Sequence, residues 1–271
     1  MIDIERYRVV PGTPLRLGAR DPADTQGATR EAAEAETAAL GVRLDALQER
    51  LYAEGRQSLL LVLQAMDGAG KDSTIRRVLG PLNPQGVRVA SFKVPTARER
   101  AHDFLWRVHA QVPQTGEIGV FNRSHYEDVL VVRVRGLAPP EAVEGRYAHI
   151  RHFEALLSDA GTRVVKVMLH ISKAYQLARM RRRLEDPTKW WKFNPGDLED
   201  RRLWDDYQRA YEIALERTST DRAPWYVVPA ENRWFRDLVV ARLLATTLEA
   251  MNPQYPEPTF DPDDFPPDAL E

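Results

Sequence analysis

The chain has 271 residues, of which 43% are hydrophobic, enough for a sizeable core in one large α/β domain or two small ones. Its formal net charge of −2 gives no general attraction to nucleic acid or anionic membranes, and the lack of cysteine excludes disulfides and thiolate metal sites. The sequence shows neither an apolar signal core at its start nor an apolar run of membrane-spanning length, so we expect a soluble cytoplasmic protein with no membrane or nucleic-acid partner.

The first predicted elements are an arm and a helix. Proline and glycine punctuate residues 1–27, which predicts an extended arm lying on the domain. A helix is predicted over residues 29–54, because four leucines from Leu40 to Leu51 recur at spacings of four, three and four. This apolar stripe fits a helix packed on the sheet and a contact between subunits equally well.

The next stretch, residues 59–74, has the sequence LLLVLQAMDGAGKDST. It predicts a buried strand, a glycine-rich turn and the start of a helix, which is the context of a phosphate-binding loop. Glycine allows backbone N–H groups to point at an anion, the helix adds its positive end, and a lysine adds a full charge. The candidate phosphate-binding residues are Gly68, Ala69, Gly70, Lys71, Asp72 and Ser73.

The loop departs from the pattern G-x-x-x-x-G-K-[ST] at two positions. Ala65 replaces the first glycine, and Asp72 replaces the hydroxyl residue, with Ser73 one place later. Taken alone, the match also fits a strand–helix turn with a surface lysine. The carboxylates of Asp67 and Asp72 flank the glycines and would repel a phosphate unless Mg²⁺ bridged them. The loop therefore predicts phosphate binding that depends on Mg²⁺.

The remaining elements alternate between strands and helices. Strands are predicted over residues 86–92, 117–122, 162–171 and 225–228, and helices over residues 97–112, 139–157, 173–184 and 232–251. This alternation predicts an α/β fold with a doubly wound parallel sheet, whose ligands bind at the carboxyl ends of the strands. We expect one domain over residues 1–255 and an irregular or disordered tail, rich in proline and acids, over residues 256–271.

Residues 122–128, NRSHYED, follow the third strand and are expected opposite the phosphate loop. Arg123 is suited to clamp phosphate oxygens, and Glu127 or Asp128 to hold Mg²⁺ or accept a proton. The same residues fit a polar turn in which Ser124 caps a helix. We expect His125 and Tyr126, which lie between Ser124 and Glu127, to serve in packing or orientation.

Residues 173–192, KAYQLARMRRRLEDPTKWWK, carry five basic residues and no acid in their first eleven positions. A basic run of this kind is typical of a solvated face, of a membrane-surface helix or of a nucleic-acid-binding helix. Because it leaves a strand that ends beside the phosphate loop, we interpret it as a lid that closes over transferring phosphates. So many cations favour a polyanion longer than a mononucleotide.

Together these motifs resemble those of the family-2 polyphosphate kinases. The resemblance spans most of residues 7–255 and rests on AMDGAGKDST (65–74), SFKVPT (91–96), FNRSHYEDVLVVRV (121–134), SKxxQxxRxxxR…DPxKxWK (172–192) and DLEDRRLWDDY (197–207). Many members carry Asp-Arg-Ser-Trp-Tyr-Asn-Arg at positions 122–128. The version here is similar to that of the subclass that phosphorylates both nucleoside mono- and diphosphates, and it moves the acidic metal-binding role to Glu127 or Asp128.

The resemblance implies a P-loop kinase fold similar to that of thymidylate kinase, with helices flanking the parallel sheet and a helical lid over about residues 173–200. It implies reversible phosphoryl transfer from inorganic polyphosphate to AMP and ADP, giving ADP and ATP, with Mg²⁺ or, alternatively, Mn²⁺. It also implies a homo-oligomer, either a dimer or a tetramer.

The resemblance further implies roles for individual residues. The catalytic residues would be Asp67, Lys71, Arg123 and Asp128. Of these, the metal ligands would be Asp67 and Asp128. The lid residues on polyphosphate would be Arg179, Arg183, Lys189 and Lys192. The residues near the nucleotide would be Lys93, Pro95, Thr96, Asn122, Glu127 and Arg133.

Two rival functions use the same features. An ATP-dependent nucleoside monophosphate kinase would place ATP on the loop and its γ-phosphate under the lid. A non-catalytic protein that binds nucleic acid or polyphosphate would use the arginine-rich helix alone, but the near-neutral total charge and the acids beside the loop argue against it.

Overall fold

Five parallel strands form the sheet of this chain, whose computed structural model describes residues 2–265. The strands are β1 (Ser58–Ala65), β2 (Val87–Ser91), β3 (Ile118–Asn122), β4 (Thr162–His170) and β5 (Trp225–Pro229). Their spatial order is β2-β3-β1-β4-β5, and every neighbouring pair is parallel. All carboxyl ends therefore lie at one edge of the sheet, which confirms the predicted α/β class.

The central strand, β1, is buried along its whole length. It pairs with β3 on one side and β4 on the other, with Leu63 opposite Asn122 and Ala65 opposite Leu169. A strand that is covered on both faces needs an unbroken apolar run, as found here from Leu59 to Leu63. This register fixes which residues meet where β1 and β3 end.

The described residues contain these helices: α1 (Arg30–Glu54), α2 (Lys71–Leu79), α3 (Ala97–Arg100), α4 (Trp106–His109), α5 (Val131–Val134), α6 (Pro140–Asp159), α7 (Lys173–Glu185), α8 (Gly196–Arg202), α9 (Trp204–Thr218) and α10 (Arg233–Met251). The leucine stripe of α1 packs along α10, where Leu44 and Leu51 are buried. The stripe is therefore covered within the chain by a helix rather than directly by the sheet.

The single helix predicted over residues 97–112 is wrong, because α3 and α4 are separate short turns. Asp103 lies between them, and its Oδ1 accepts a hydrogen bond from the N–H of Leu105 at 2.9 Å. A short acidic side chain that binds nearby backbone competes with the helical ladder and breaks it.

The prediction missed α8 and α9, although the signal for α9 is present in the sequence. Trp204, Tyr207, Tyr211 and Leu215 recur at helical spacing, and all four are buried. This helix matters to the site because its buried face reaches the end of β1.

The two ends of the chain differ in how they pack. The N-terminal arm lies on the sheet edge, where Arg8 forms an antiparallel bridge with Tyr226 and the N–H of Val9 donates to the carbonyl of Trp225 at 2.8 Å. Residues 252–265 contain one 3₁₀ turn, Pro262–Asp264, in otherwise irregular backbone, and the rest of the predicted tail lies outside the described residues. Within residues 2–265, no helix combines the length and the apolar character that a membrane span needs.

Candidate active site

The loop between β1 and α2 has a backbone suited to an anion. Gly68 and Gly70 have φ angles of 90° and 103°, which residues with side chains rarely adopt. The first turn of α2 has no side-chain cap among the described residues, so its N–H groups remain available. The positive end of the helix and these N–H groups favour a phosphate at this loop.

Lys71, the first residue of α2, is buried beside this loop, with 9% of its surface exposed. Its Nζ donates a hydrogen bond to the carbonyl oxygen of Ala65 at 3.1 Å. Burial lowers the pKa of Lys71, and the nearby charge of Arg123 lowers it further. A cation that is poorly hydrated gains more from an anionic phosphate than an exposed cation does.

Asp67 and Glu127 lie on either side of Arg123. One guanidinium nitrogen of Arg123 lies 2.6 Å from Oδ1 of Asp67, and the other lies 3.5 Å from Oε2 of Glu127. Burial raises the pKa of Asp67, but the charges of Lys71 and Arg123 outweigh this effect and hold the pKa below its usual value. Asp67 is therefore ionised at neutral pH.

Arg123 directs its side chain into this cluster from an unusual backbone conformation. Its φ angle is 61°, and its N–H donates to the carbonyl of Leu63 on β1 at 3.0 Å. A left-handed angle at a residue with a long side chain costs of order 1 kcal/mol or more and is concentrated at functional sites. The strand register and this turn together bring Arg123 to Asp67.

Glu127 and Asp128 are adjacent in sequence but face different groups. Oε1 of Glu127 accepts a hydrogen bond from Gln64 at 2.9 Å, and Oε2 faces Arg123. Asp128 instead faces Arg146, whose guanidinium lies 2.8 Å from its backbone carbonyl and 3.5 Å from Oδ1. The structure therefore brings Glu127, and not Asp128, into contact with the guanidinium that holds Asp67.

Asp72, the departure from the usual loop pattern, is tied to the neighbouring strand. Its Oδ1 accepts a hydrogen bond from the side-chain amide of Asn122 at 2.6 Å. Because Asn122 ends β3, the contact links the start of α2 to the same strand end that carries Arg123. The predicted residues Asp72 and Asn122 therefore meet, on the exposed side of the loop.

His125 and Tyr126, the aromatic residues within 122–128, are buried in the turn that follows β3. The hydroxyl of Tyr126 donates to Glu154 at 2.7 Å and accepts from Nζ of Lys166 at 3.0 Å, and all of these groups are buried. Burial lowers the pKa of His125, so this histidine is neutral and belongs to the packing of the turn. Both side chains are buried in the turn, and their role in orientation and packing stays a prediction.

The lid helix α7 lies directly over the phosphate loop. The side-chain amide of Gln176 donates to the carbonyl of Asp67 at 3.1 Å. A methyl group placed on Gly68 would lie 3.6 Å from Cβ of Arg179. The Nε of Arg179 is buried with no hydrogen-bond partner among the described residues. Burial lowers the pKa of Arg179, as does the neighbouring Arg233. A guanidinium held in this way has bonding capacity left for an anion.

The other predicted lid residues, Arg183, Lys189 and Lys192, differ in their distance from the loop. Arg183 donates to Asp197 at 3.3 Å, and burial together with the charge of Asp67 raises the pKa of Asp197 to about 6. Lys189 pairs with Asp186 at the exposed end of the lid. Nζ of Lys192 lies 4.7 Å from the ring centroid of Trp191, also exposed. Arg179 and Arg183 are therefore brought to the loop, and the two lysines are not.

The residues predicted near the nucleotide after β2 lie at the carboxyl edge of the sheet. The carbonyl of Lys93 accepts from Arg107 at 2.7 Å, and the carbonyl of Pro95 accepts from Arg100 at 2.7 Å. Thr96 caps α3. These contacts hold the segment after β2 in place at the edge of the sheet where the loop lies.

Arg133 lies apart from the cluster. Its guanidinium donates to Glu144 at 2.7 Å and lies 3.5 Å from the hydroxyl of Tyr147. Both partners belong to α6. The structure therefore engages Arg133 with a helix and does not bring it to Arg123 or Asp67.

A sequence model described as polyphosphate kinase 2 matches residues 27–256, which is most of the chain. The chain belongs to the polyphosphate kinase 2 family. Membership confirms the family expected from the motifs, and it makes the protein a kinase that depends on a divalent metal.

Relatives of this polyphosphate kinase 2 chain are similar over most of its length. An AMP/ADP-polyphosphate phosphotransferase of Meiothermus ruber is 55% identical over 94% of this chain and 96% of its own length. An ADP-polyphosphate phosphotransferase of Rhodopseudomonas palustris is 48% identical over 80% of this chain and 79% of its own. The crystal structure of polyphosphate kinase 2 from Arthrobacter aurescens superposes with a TM-score of 0.92, covering 95% of this chain and 92% of its own, at 47% identity.

The residues of this kinase fit a divalent metal held partly by substrate. Within residues 2–265, no three side chains of the His, Cys, Asp and Glu types form a group that could hold a metal ion. The two carboxylates at Arg123, those of Asp67 and Glu127, are hard oxygen donors. An ion such as Mg²⁺ is commonly bound by one or two carboxylates together with substrate phosphates and water. The donor set here matches that pattern.

Sequence reasoning missed a further residue of the kinase site, Arg236 on α10. It is buried, donates to the carbonyl of Ala69 at 3.1 Å and to the hydroxyl of Ser73 at 3.2 Å, and pairs with Asp237 at 2.7 Å. The space that a side chain on Gly70 would need is taken by its guanidinium. Nothing local marks Arg236 as a site residue, because α10 also carries Arg233, Asp237, Arg242 and Glu249.

Proposed function

We propose that this chain transfers the terminal phosphoryl group of inorganic polyphosphate to AMP and then to ADP, with Mg²⁺ as the metal. The observation that carries the proposal is the line of contacts from Asp67 through Arg123 to Glu127, beside a buried Lys71 and beneath the arginines of α7. The Meiothermus ruber relative, which carries both AMP and ADP in its name, supports the choice of acceptors.

The donor would bind between the phosphate loop and α7. Lys71 and the free N–H groups at the start of α2 face its terminal phosphate, and Arg179 and Arg183 cover it from the lid. Both arginines are partly exposed, so part of their attraction to a polyanion is screened by salt, and we expect them to affect binding of the donor more than the rate of transfer.

The acceptor phosphate would lie on the opposite side, towards the strand ends of β1 and β3. Arg123 contacts two carboxylates and retains donors for phosphate oxygens. When bound, Mg²⁺ supplies charge neutralisation for the phosphates, and Asp67 and Glu127 are the residues that would hold it. We assign the role to Glu127 rather than Asp128, because Asp128 is engaged by Arg146.

Catalysis in this arrangement is positioning and electrostatics. Phosphoryl transfer passes through a loose transition state that requires the attacking and leaving oxygens to be in line, so no covalent residue is needed. An acceptor phosphate is already ionised and needs no strong base. This fits a site whose buried histidine, His125, is kept neutral within the packing of the turn.

A time course separates this function from its rivals. Protein free of adenylate kinase is mixed with AMP, Mg²⁺ and either long-chain polyphosphate or ATP. We expect ADP to rise first and ATP later with polyphosphate, and ADP offered alone to give ATP without an equal rate of AMP formation. Accumulation of ADP as an end product would restrict the acceptor to AMP, and transfer from ATP alone would make the chain a nucleoside monophosphate kinase.

The remaining expectations stay predictions. A homo-oligomer, dimer or tetramer, is tested by sedimentation velocity. The use of Mn²⁺ in place of Mg²⁺ is tested by metal replacement in the same assay. The cytoplasmic location and the lack of nucleic-acid and membrane partners stay expectations from the sequence.

A further inference from the structure

Gln64, the penultimate residue of β1, is a polar side chain at the end of a strand that is apolar from Leu59 to Leu63. None of its surface is exposed. A buried amide is unfavourable unless its polar atoms are paired within the protein. The groups that pair with Gln64 therefore indicate what it does.

Both ends of the Gln64 amide bind the turn that follows β3. Its Nε2 donates to Oε1 of Glu127 at 2.9 Å, and its Oε1 accepts from the hydroxyl of Ser124 at 3.3 Å. An ionised carboxylate can only accept hydrogen bonds, so the amide nitrogen must be the atom that faces Glu127. One side chain of β1 therefore holds one oxygen of this carboxylate.

Gln64 holds Glu127 more closely than the other partner of this carboxylate does. The guanidinium of Arg123 lies 3.5 Å from Oε2 of Glu127, outside the range of about 2.7–3.2 Å that is usual for N–H···O hydrogen bonds. Arg123 is bound more closely to Asp67, at 2.6 Å. The amide of Gln64 is therefore the stronger constraint on the orientation of the Glu127 carboxylate.

The backbone of the turn has anchors of its own. The carbonyl of Ser124 accepts from the N–H of Glu127 at 3.1 Å, and its hydroxyl accepts from the N–H of Tyr126 at 3.2 Å. The hydroxyl of Tyr126 is buried and donates to Glu154 at 2.7 Å. Removing the amide of Gln64 should therefore free the side chain of Glu127 without displacing the turn.

We propose that Gln64 is a positioning residue for the metal, because its amide fixes the orientation of the Glu127 carboxylate that would hold Mg²⁺. The proposal rests on the proposed function, in which Glu127 is a metal ligand, and adds the residue that orients this ligand. Loss of a hydrogen-bond partner of a metal ligand commonly weakens metal affinity by about 10- to 100-fold. Gln64 acts on metal affinity through Glu127 and contacts neither substrate itself.

The test compares Gln64→Met with Gln48→Met, since each removes a buried amide and keeps the length of the side chain. Gln48 lies on α1 and donates to the carbonyl of Asn83 at 3.4 Å, ahead of the start of β2. We expect Gln64→Met to raise the Mg²⁺ concentration for half-maximal rate about tenfold. The KM values for polyphosphate and AMP at saturating Mg²⁺ should change less than twofold. Gln48→Met should change none of these quantities.

Calorimetry measures the same effect without turnover. Mg²⁺ is titrated into protein that holds AMP and no donor, and its Kd should rise about tenfold in Gln64→Met and less than twofold in Gln48→Met. Thermal melting shows whether both variants are folded. If Gln64→Met does not fold, Gln64→Asn takes its place, because its amide is one methylene shorter and falls short of Glu127.

A double variant shows whether Gln64 acts through Glu127. Because one residue orients the other, Gln64→Met should raise the Mg²⁺ requirement less than twofold further when Glu127→Gln is already present. A full additional effect in that background, or no effect of Gln64→Met alone, would overturn the proposal. Failure of the wild-type protein to use polyphosphate would instead refute the proposed function, and the calorimetric comparison would still decide the role of Gln64.

Discussion

Oδ1 of Asp67 lies 2.6 Å from a guanidinium nitrogen of Arg123, across the ends of two neighbouring strands. The register of β1 and β3, which sets Leu63 opposite Asn122, places the two residues that follow these strands together. The carboxylate that we assign to the metal and the guanidinium that we assign to phosphate therefore compensate each other's charge. Four predictions test this assignment and the residues around it.

Replacing Lys71 with methionine should separate activity from stability. Turnover should fall about 10²- to 10³-fold, the cost of losing one electrostatic donor to a transition state. The melting temperature should not fall, because burial lowers the pKa of this lysine and the folded state therefore disfavours its charge. Steady-state kinetics and thermal melting measure both effects. Near-normal kcat would exclude the phosphate role, and Arg76→Met on the same helix is the control.

Glu127→Gln and Asp128→Asn form a matched pair for the metal. We expect Glu127→Gln to raise the Mg²⁺ concentration that gives half-maximal rate by roughly 10- to 100-fold, the usual effect of disturbing a metal ligand or its support. Asp128→Asn should change this concentration less than twofold, because Arg146 holds that residue away from the guanidinium of Arg123. If Asp128→Asn raises this Mg²⁺ concentration more than Glu127→Gln does, Asp128 rather than Glu127 holds the metal.

The lid should set affinity for the donor. Replacing Arg179 and Arg183 with glutamine should raise the KM for polyphosphate and flatten its dependence on salt, with little change in AMP binding. Arg163→Gln with Arg222→Gln is a control of equal net charge, at the edge of the sheet where β4 begins. If the double variant instead loses affinity for AMP and keeps its affinity for polyphosphate, α7 binds the nucleotide and not the donor.

Asp128 should give a measurable pH dependence of stability. Burial raises its pKa to about 6, while Arg146 and Arg107 oppose the increase and Glu127 adds to it. The folded state therefore binds the proton more tightly than the unfolded state, and this stabilisation is present below the ordinary carboxyl pKa and lost as pH rises through about 6.

Asp128→Asn removes the titrating carboxyl group and with it the loss of stability as pH rises. Relative to the wild-type protein, its free energy of unfolding should increase from pH 4 to pH 8 by up to about 3 kcal/mol. Denaturant titration at several pH values measures the difference. An unchanged difference across this range would contradict the raised pKa, and Asp205→Asn, at an exposed position on α9, is the control.

Much of the fold was predictable, because the strands carry apolar runs and the phosphate loop joins the first of them to a helix. Lys71 and Asp67 follow from that loop, and Arg123 follows from its place after β3. The different contacts of Glu127 and Asp128, on which our assignment of the metal rests, were not predictable. Adjacent residues on a 3₁₀ turn point in different directions, and the sequence does not define where the turn begins. Tertiary contacts such as that of Arg236 leave no local pattern either.

The contact between Arg236 and Ala69 joins the last helix of the chain to its first strand–helix turn. During synthesis from the N-terminus, the phosphate loop emerges long before the guanidinium that holds its carbonyl. A product that stops short of α10 has the loop sequence but lacks that support and the neighbour along which α1 packs. Truncated translation products should therefore consume no nucleotide, and activity should begin only once the whole domain has left the ribosome.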